Sequence, residues 1–70
     1  MRIRYTNHAV LESMPDEGIT TEEVEEAILK SSETARVSKN KYKFYYRGLE
    51  VVAQKETGYW LVITCYRRGD

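Results

Sequence analysis

Tyr59-Trp60-Leu61-Val62-Ile63-Thr64-Cys65-Tyr66-Arg67-Arg68 carries eight consecutive aromatic, aliphatic or small residues that end abruptly at two arginines. Gly58 on one side and charge on the other bound it as a strand, buried first and basic last. A run this apolar needs neighbours, and the sequence before it supplies them.

Glu56-Thr57-Gly58 fits a three-residue hairpin loop with Gly58 in the left-handed position. That loop pairs Ala53 with Leu61, Val51 with Ile63 and Leu49 with Cys65. A four-residue loop, Lys55 to Gly58, would bring Trp60 and Val62 to the same face instead, since a one-residue slip exchanges the faces. The three-residue loop is adopted. Leu61, Ile63 and Cys65 are then expected under the helices, and Lys43, Tyr45, Val52, Trp60, Val62 and Tyr66 on the opposite face. One hairpin earlier, Arg47-Gly48 serves as a two-residue loop pairing Tyr46 with Leu49, Phe44 with Val51 and Tyr42 with Ala53. Lys41 to Tyr46 alternates as a strand should, Ser38-Lys39-Asn40 reads as a turn, and Thr34 to Val37 as a weak strand.

Further upstream the period becomes helical. Thr20 as N-cap with Glu23 at N3 forms a capping box, and Ile19 and Val24 occupy the staple positions. The helix is expected from Thr21 to Lys30, with Val24, Ala27 and Ile28 buried, acids near its start and Lys30 near its end. Ser31, Ser32 and Glu33 form the exit loop. Before Gly18, Thr6 or Asn7 caps a shorter helix with Val10, Leu11 and Met14 on one face, ended by Pro15. Arg2 to Tyr5 is a short edge strand with Ile3 and Tyr5 on one face. The whole, residues 1–70, is expected to be one two-layer α+β domain: a short N-terminal strand, two helices, then a three- to four-stranded antiparallel meander.

Seventy residues lie near the lower limit for folding on a hydrophobic core alone. Cys65 is the single cysteine and His8 the single histidine, so neither a disulfide framework nor a zinc-ligand spacing exists. A reducing, cytoplasmic setting is expected. The N-terminal residues alternate charged and apolar, which fits neither a signal peptide nor a membrane span. Net charge is zero, yet it is segregated: seven of the eleven acids lie between Arg4 and Lys30, where no Lys or Arg occurs. Arg36, Lys39, Lys41, Lys43 and Arg47 then follow with no acid among them.

No glycine-rich phosphate loop, nucleophile triad or pair of histidines is present, so no cofactor or metal is expected. Cys65 reads as a buried thiol, and Glu22 to Glu26 as a solvated helix face. His8, with an ordinary pKa near neutrality, is the natural acid or base if there is catalysis, against a plain surface or capping role. Lys41, Lys43, Tyr45, Arg47, Tyr66, Arg67 and Arg68 form the most suggestive set. Lysine and arginine neutralise phosphates and tyrosine stacks on unpaired bases. The rival account is a sheet rim on which basic residues block edge pairing.

His8-Ala9 through Met14, and Glu17-Gly18-Ile19-Thr20-Thr21-Glu22-Glu23-Val24, resemble a family of small bacterial and archaeal domains of unknown function. The order of elements also resembles the RelE, ParE and BrnT type of toxin, several members of which cut RNA without metal. Carried over by position, the resemblance makes His8 the acid/base, with Tyr66 and Arg67 in the catalytic set. Lys41, Lys43, Tyr45, Arg47 and Arg68 become RNA contacts, and an antitoxin becomes an expected partner. The chain departs from the pattern in having Glu17 before Gly18 and Glu12 or Ser13 before Met14, where the family has arginines. The step from His8 to Met14 is also one residue longer, which on an α-helix rotates the histidine by about 100°. The second function class is a non-catalytic interaction module, binding another protein or a second copy through its acidic helices or the Trp60 face. A third is a plain structural domain.

Overall fold

The capping box forms as its residues dictate. Thr20 Oγ1 accepts the Glu23 N–H at 3.2 Å, and the Glu23 carboxylate accepts the Thr20 N–H at 3.0 Å. The computed structural model describes residues 2–31 and 33–68. Within them run β1 (Ile3–Tyr5), a π-helical segment (Ala9–Ser13) continuing into α1 (Met14–Glu17), α2 (Thr21–Lys30), β2 (Glu33–Arg36), β3 (Lys41–Tyr46), β4 (Leu49–Glu56) and β5 (Tyr59–Arg67). Glu33 therefore opens β2 rather than closing a loop, and Ser32 lies outside the described residues. None of the helices is long and apolar enough to cross a membrane.

The sheet has five strands in the order β1-β5-β4-β3-β2. β2 to β5 form the expected antiparallel meander, but β1 adds to β5 in parallel, making the sheet mixed. Arg47-Gly48 makes the two-residue turn, with φ of 49° and 77°, and β3 pairs with β4 as read from the sequence. Holding the left-handed conformation costs Arg47 about 1 kcal/mol.

The β4–β5 register differs from both expected versions. Thr57-Gly58 is a two-residue loop, with Glu56 opposite Tyr59 and Ala53 opposite Val62. A bulge then intervenes: Val52 pairs with Thr64 and Val51 with Cys65, leaving Ile63 as the extra residue. The bulge lets Val62 and Cys65, three residues apart, share the helix-covered face at 0% and 1% exposure. Trp60 joins them there, edge-on to Phe44 and Tyr42 at 5.2 and 5.6 Å. Leu61 and Ile63 are not in that core, and Trp60 and Val62 do not face outward.

The first helical segment also departs from expectation. Thr6 is its cap, accepting the Ala9 N–H through Oγ1. Met14 N–H then bonds to Ala9 O, a step of five residues, so Ala9, Ser13 and Met14 point inward while Val10 and Leu11 are exposed. Pro15 follows directly. Lacking an N–H and crowding the preceding turn, it favours this widening rather than stopping the helix. The helix ends at Gly18, with φ 63°, where Gly18 N–H bonds to Pro15 O and Ile19 N–H to Met14 O. Buried Ile19 and Met14 complete that Schellman closure.

α2 packs on β3 and β4 through Val24, Ala27 and Ile28, while the first helical segment packs on β5. β1 pairs with β5 from Trp60 to Val62 and no further. Beyond it, helical side chains close the edge: Thr6 Oγ1 donates to Ile63 O, Ser13 Oγ meets Thr64 Oγ1, and Glu17 Oε1 accepts the Arg67 N–H.

Hydrogen bonds from Thr20 and Arg67 hold the Glu23 carboxyl below its usual range, the Thr20 backbone contributing most. A depressed carboxylate stabilises the fold above its unfolded pKa and loses that contribution as pH falls through its folded value. Thr20→Ala is expected to cost about 1 kcal/mol at neutral pH. In urea unfolding at stepwise lower pH, both proteins should lose stability as Glu23 is protonated, and the difference between them should stay nearly constant, because alanine keeps the backbone N–H that holds the carboxylate.

Candidate nucleic-acid interface

Strand alternation sorts the basic and aromatic residues onto two faces. Lys41, Lys43 and Tyr45 stand on the helix-free face of β3, about 6.8 Å apart along the strand. Tyr45 is directly opposite Glu50 on β4, and Glu50 opposite Tyr66 on β5. Arg68 reaches the same place: its guanidinium lies 4.7 Å from the Tyr45 ring centroid, and its backbone N–H is fixed by Gly48 O at 2.7 Å.

Glu50 is the centre of this group. Although no helix covers its face, it is 4% exposed, because the surrounding side chains lie over it. Its carboxylate accepts the Tyr66 hydroxyl, with Lys43 Nζ and Arg68 Nε each at 3.8 Å. The charge that two cations bring to the face is therefore partly balanced from within. The hydrogen bond to Glu50, with burial second, pushes the Tyr66 hydroxyl up to about 12. At neutral pH that phenol keeps its proton, so it is a donor and not a base.

Arg67, expected beside Tyr66, is on the other face. Its Nε donates to Glu17 O at 3.1 Å, and its Nη2 to Gly18 O at 3.0 Å and to both Glu23 carboxylate oxygens at 3.1 Å. Arg47 also turns to the helix side, over the Tyr46 ring at 5.3 Å. There Glu23, Glu26, Tyr46, Arg47, Leu49 and Arg67 line a cleft of about 130 Å³ that holds two acids and two arginines. His8 is exposed, its Nδ1 3.6 Å from Glu12. No hydrogen bond or ion pair joins it to the Glu50 group among the described residues.

Of the eight expected site residues, then, Lys41, Lys43, Tyr45, Tyr66 and Arg68 share one face, while His8, Arg47 and Arg67 do not belong to it. Two members escaped sequence reading. Glu50 was readable from the Tyr46–Leu49 pairing, which already sets it opposite Tyr45. Arg4 was readable from the alternation of β1: with Ile3 and Tyr5 against the core, it faces outward and lies 4.9 Å from the Tyr59 ring centroid. Cys65 is buried, as expected, and burial raises its thiol pKa. Trp60, the anchor of the expected dimer or partner face, is packed against the core instead.

A scan against protein-family models gives no match, and searches of curated proteins and of solved structures likewise find no match.

Because the Tyr66 pKa is raised on folding, its neutral hydroxyl stabilises the fold fully below pH 10, and this contribution is lost as pH rises through about 12. Tyr5 is raised as well, chiefly by burial. Absorbance titration of tyrosinate in the folded protein should show Tyr66 and Tyr5 ionising late. Tyr66→Phe should remove one of them.

Proposed function

We propose that the helix-free face of the sheet binds single-stranded RNA, in a domain of RelE-like type that binds RNA without cutting it. The observation that carries this reading is the clustering of Tyr45, Tyr66, Lys43 and Arg68 on one uncovered face, with Lys41 next along β3. Aromatic rings on a sheet offer sequence-tolerant stacking platforms, and cations set between them take the backbone phosphates. A regular sheet holds both at fixed spacing, so little ordering cost falls on the protein side.

Binding is favoured over cleavage by the state of the acid/base groups. Attack by a 2′-hydroxyl requires a base within reach of its proton and an acid at the leaving oxygen. Tyr66 commits its proton to Glu50, Glu50 is covered, and His8 lies outside the group, beside Glu12. Metal-independent cleavage would need these groups to be rearranged.

A fluorescein-labelled uridine dodecamer, titrated with protein in EDTA and followed by anisotropy, tests the proposal. Lys43→Met and Arg68→Met should each weaken binding severalfold and flatten the salt dependence by about 0.7 in log–log slope. Lys30→Met, which removes one cation from the helix side, should leave affinity unchanged. The RNA should remain intact on a gel. Salt-insensitive binding, or none, rejects the reading, and cleavage in EDTA rejects the non-catalytic part.

A further inference from the structure

Glu50 is a liability on a surface meant for polyanions, unless its place is one the polyanion takes. We propose that Lys43, Arg68 and the Tyr66 hydroxyl form a seat for a single phosphodiester group, and that the Glu50 carboxylate occupies this seat as an internal stand-in when no ligand is bound. The inference rests on the RNA-binding reading and locates its main phosphate contact.

The donor set is the first argument. An ammonium, a guanidinium and a hydroxyl converge on one carboxylate from two different strands, β3 and the end of β5. This is a combination that recognises phosphate oxygens as readily as carboxylate oxygens. Distance is the second. Lys43 Nζ and Arg68 Nε each stand 3.8 Å from Glu50, inside ion-pair range but beyond hydrogen-bond contact. Neither cation is saturated by the carboxylate, and both keep N–H groups for another oxygen.

The third argument is positional. Arg68 leans on the Tyr45 ring, and Tyr66 is 39% exposed. An aromatic surface therefore flanks the seat on either side, where the bases next to a bound phosphate would stack. Without the carboxylate, two cations would stand on either side of one position with no anion between them. With it, the unliganded face is neutralised and ordered, and binding exchanges one anion for another. The cost of that exchange is repulsion between Glu50 and the incoming phosphate, which limits affinity.

Removing the negative charge should therefore strengthen RNA binding, the reverse of what loss of a merely structural residue gives. Glu50→Gln keeps the shape and an acceptor for Tyr66. It should bind the uridine dodecamer roughly fivefold or more tightly, the size of one like-charge interaction near the surface. Its salt slope should steepen, because both cations of the seat then act on the phosphate without an internal counter-charge. Glu50→Asp, which keeps the charge, should show no gain. Inorganic phosphate, used as a competitor, should displace the dodecamer from Glu50→Gln at lower concentration than from the parent. Glu50→Leu, a neutral replacement that leaves no buried acceptor, supplies the same test if Glu50→Gln does not fold. RNA binding by the parent with no gain in either neutral variant overturns the seat and leaves the RNA reading standing. No RNA binding by any of the proteins overturns both.

Discussion

Arg67 is the interaction on which the rest of the structure depends. Two short helical elements joined by Gly18-Ile19-Thr20 have little stability of their own, since nucleating each turn is costly and few turns follow. Arg67 ties that junction to the longest strand. Its guanidinium takes the terminal carbonyls of α1 at Glu17 and Gly18 and the carboxylate of Glu23 in the first turn of α2, and Glu17 returns a bond to its N–H. A cation at the C-terminal end of one helix and a carboxylate at the N-terminal end of the next each lie where the helix dipole favours them. The contact is half exposed, so its value lies less in raw strength than in fixing which way β5 faces. With Arg67 turned to the helices, Tyr66 and Arg68 are turned away, and the open face acquires its chemistry.

Legibility in the sequence followed how local the determining interactions were. α2 was readable to the residue because Thr20, Glu23, Ile19 and Val24 act within six positions of one another. The Arg47-Gly48 turn was readable for the same reason. β5 was not. Its residues are apolar in both phases of the strand period, so alternation carries no register information, and the bulge at Ile63 is set by what the helices and β4 require. The wide turn at Ala9–Ser13 was equally hidden: Val10 and Leu11 look like a buried stripe until Ala9, Ser13 and Met14 are seen to take that role. Nothing local to Arg2–Tyr5 announced that it would run parallel to a strand more than fifty residues away.

The candidate site shows the same division. Lys43 and Tyr45 lie on a strand whose pairing was legible, and they were found. Arg67 and Arg68 are adjacent and chemically alike, and only the phase of β5 decides that one is a helix clamp and the other a surface cation. Glu50 was overlooked because attention to basic residues treats an acid among Leu49, Val51 and Val52 as an interruption. Three-dimensionally it is the point on which three of the expected contacts converge.

The edge of β5 beyond Val62 is closed by hydroxyls and a carboxylate from the first helical segment, not by another strand. More than half of the longest strand thus has its edge covered by a segment that holds on through Thr6, Ser13, Glu17 and a few apolar contacts. If that segment lifts, what appears is not a loose helix beside an intact domain but an unpaired, apolar strand margin of the kind that recruits other chains. The segment that covers this margin is in this way also the guard against strand pairing from outside. Opening of this segment and exposure of the strand margin are therefore one event.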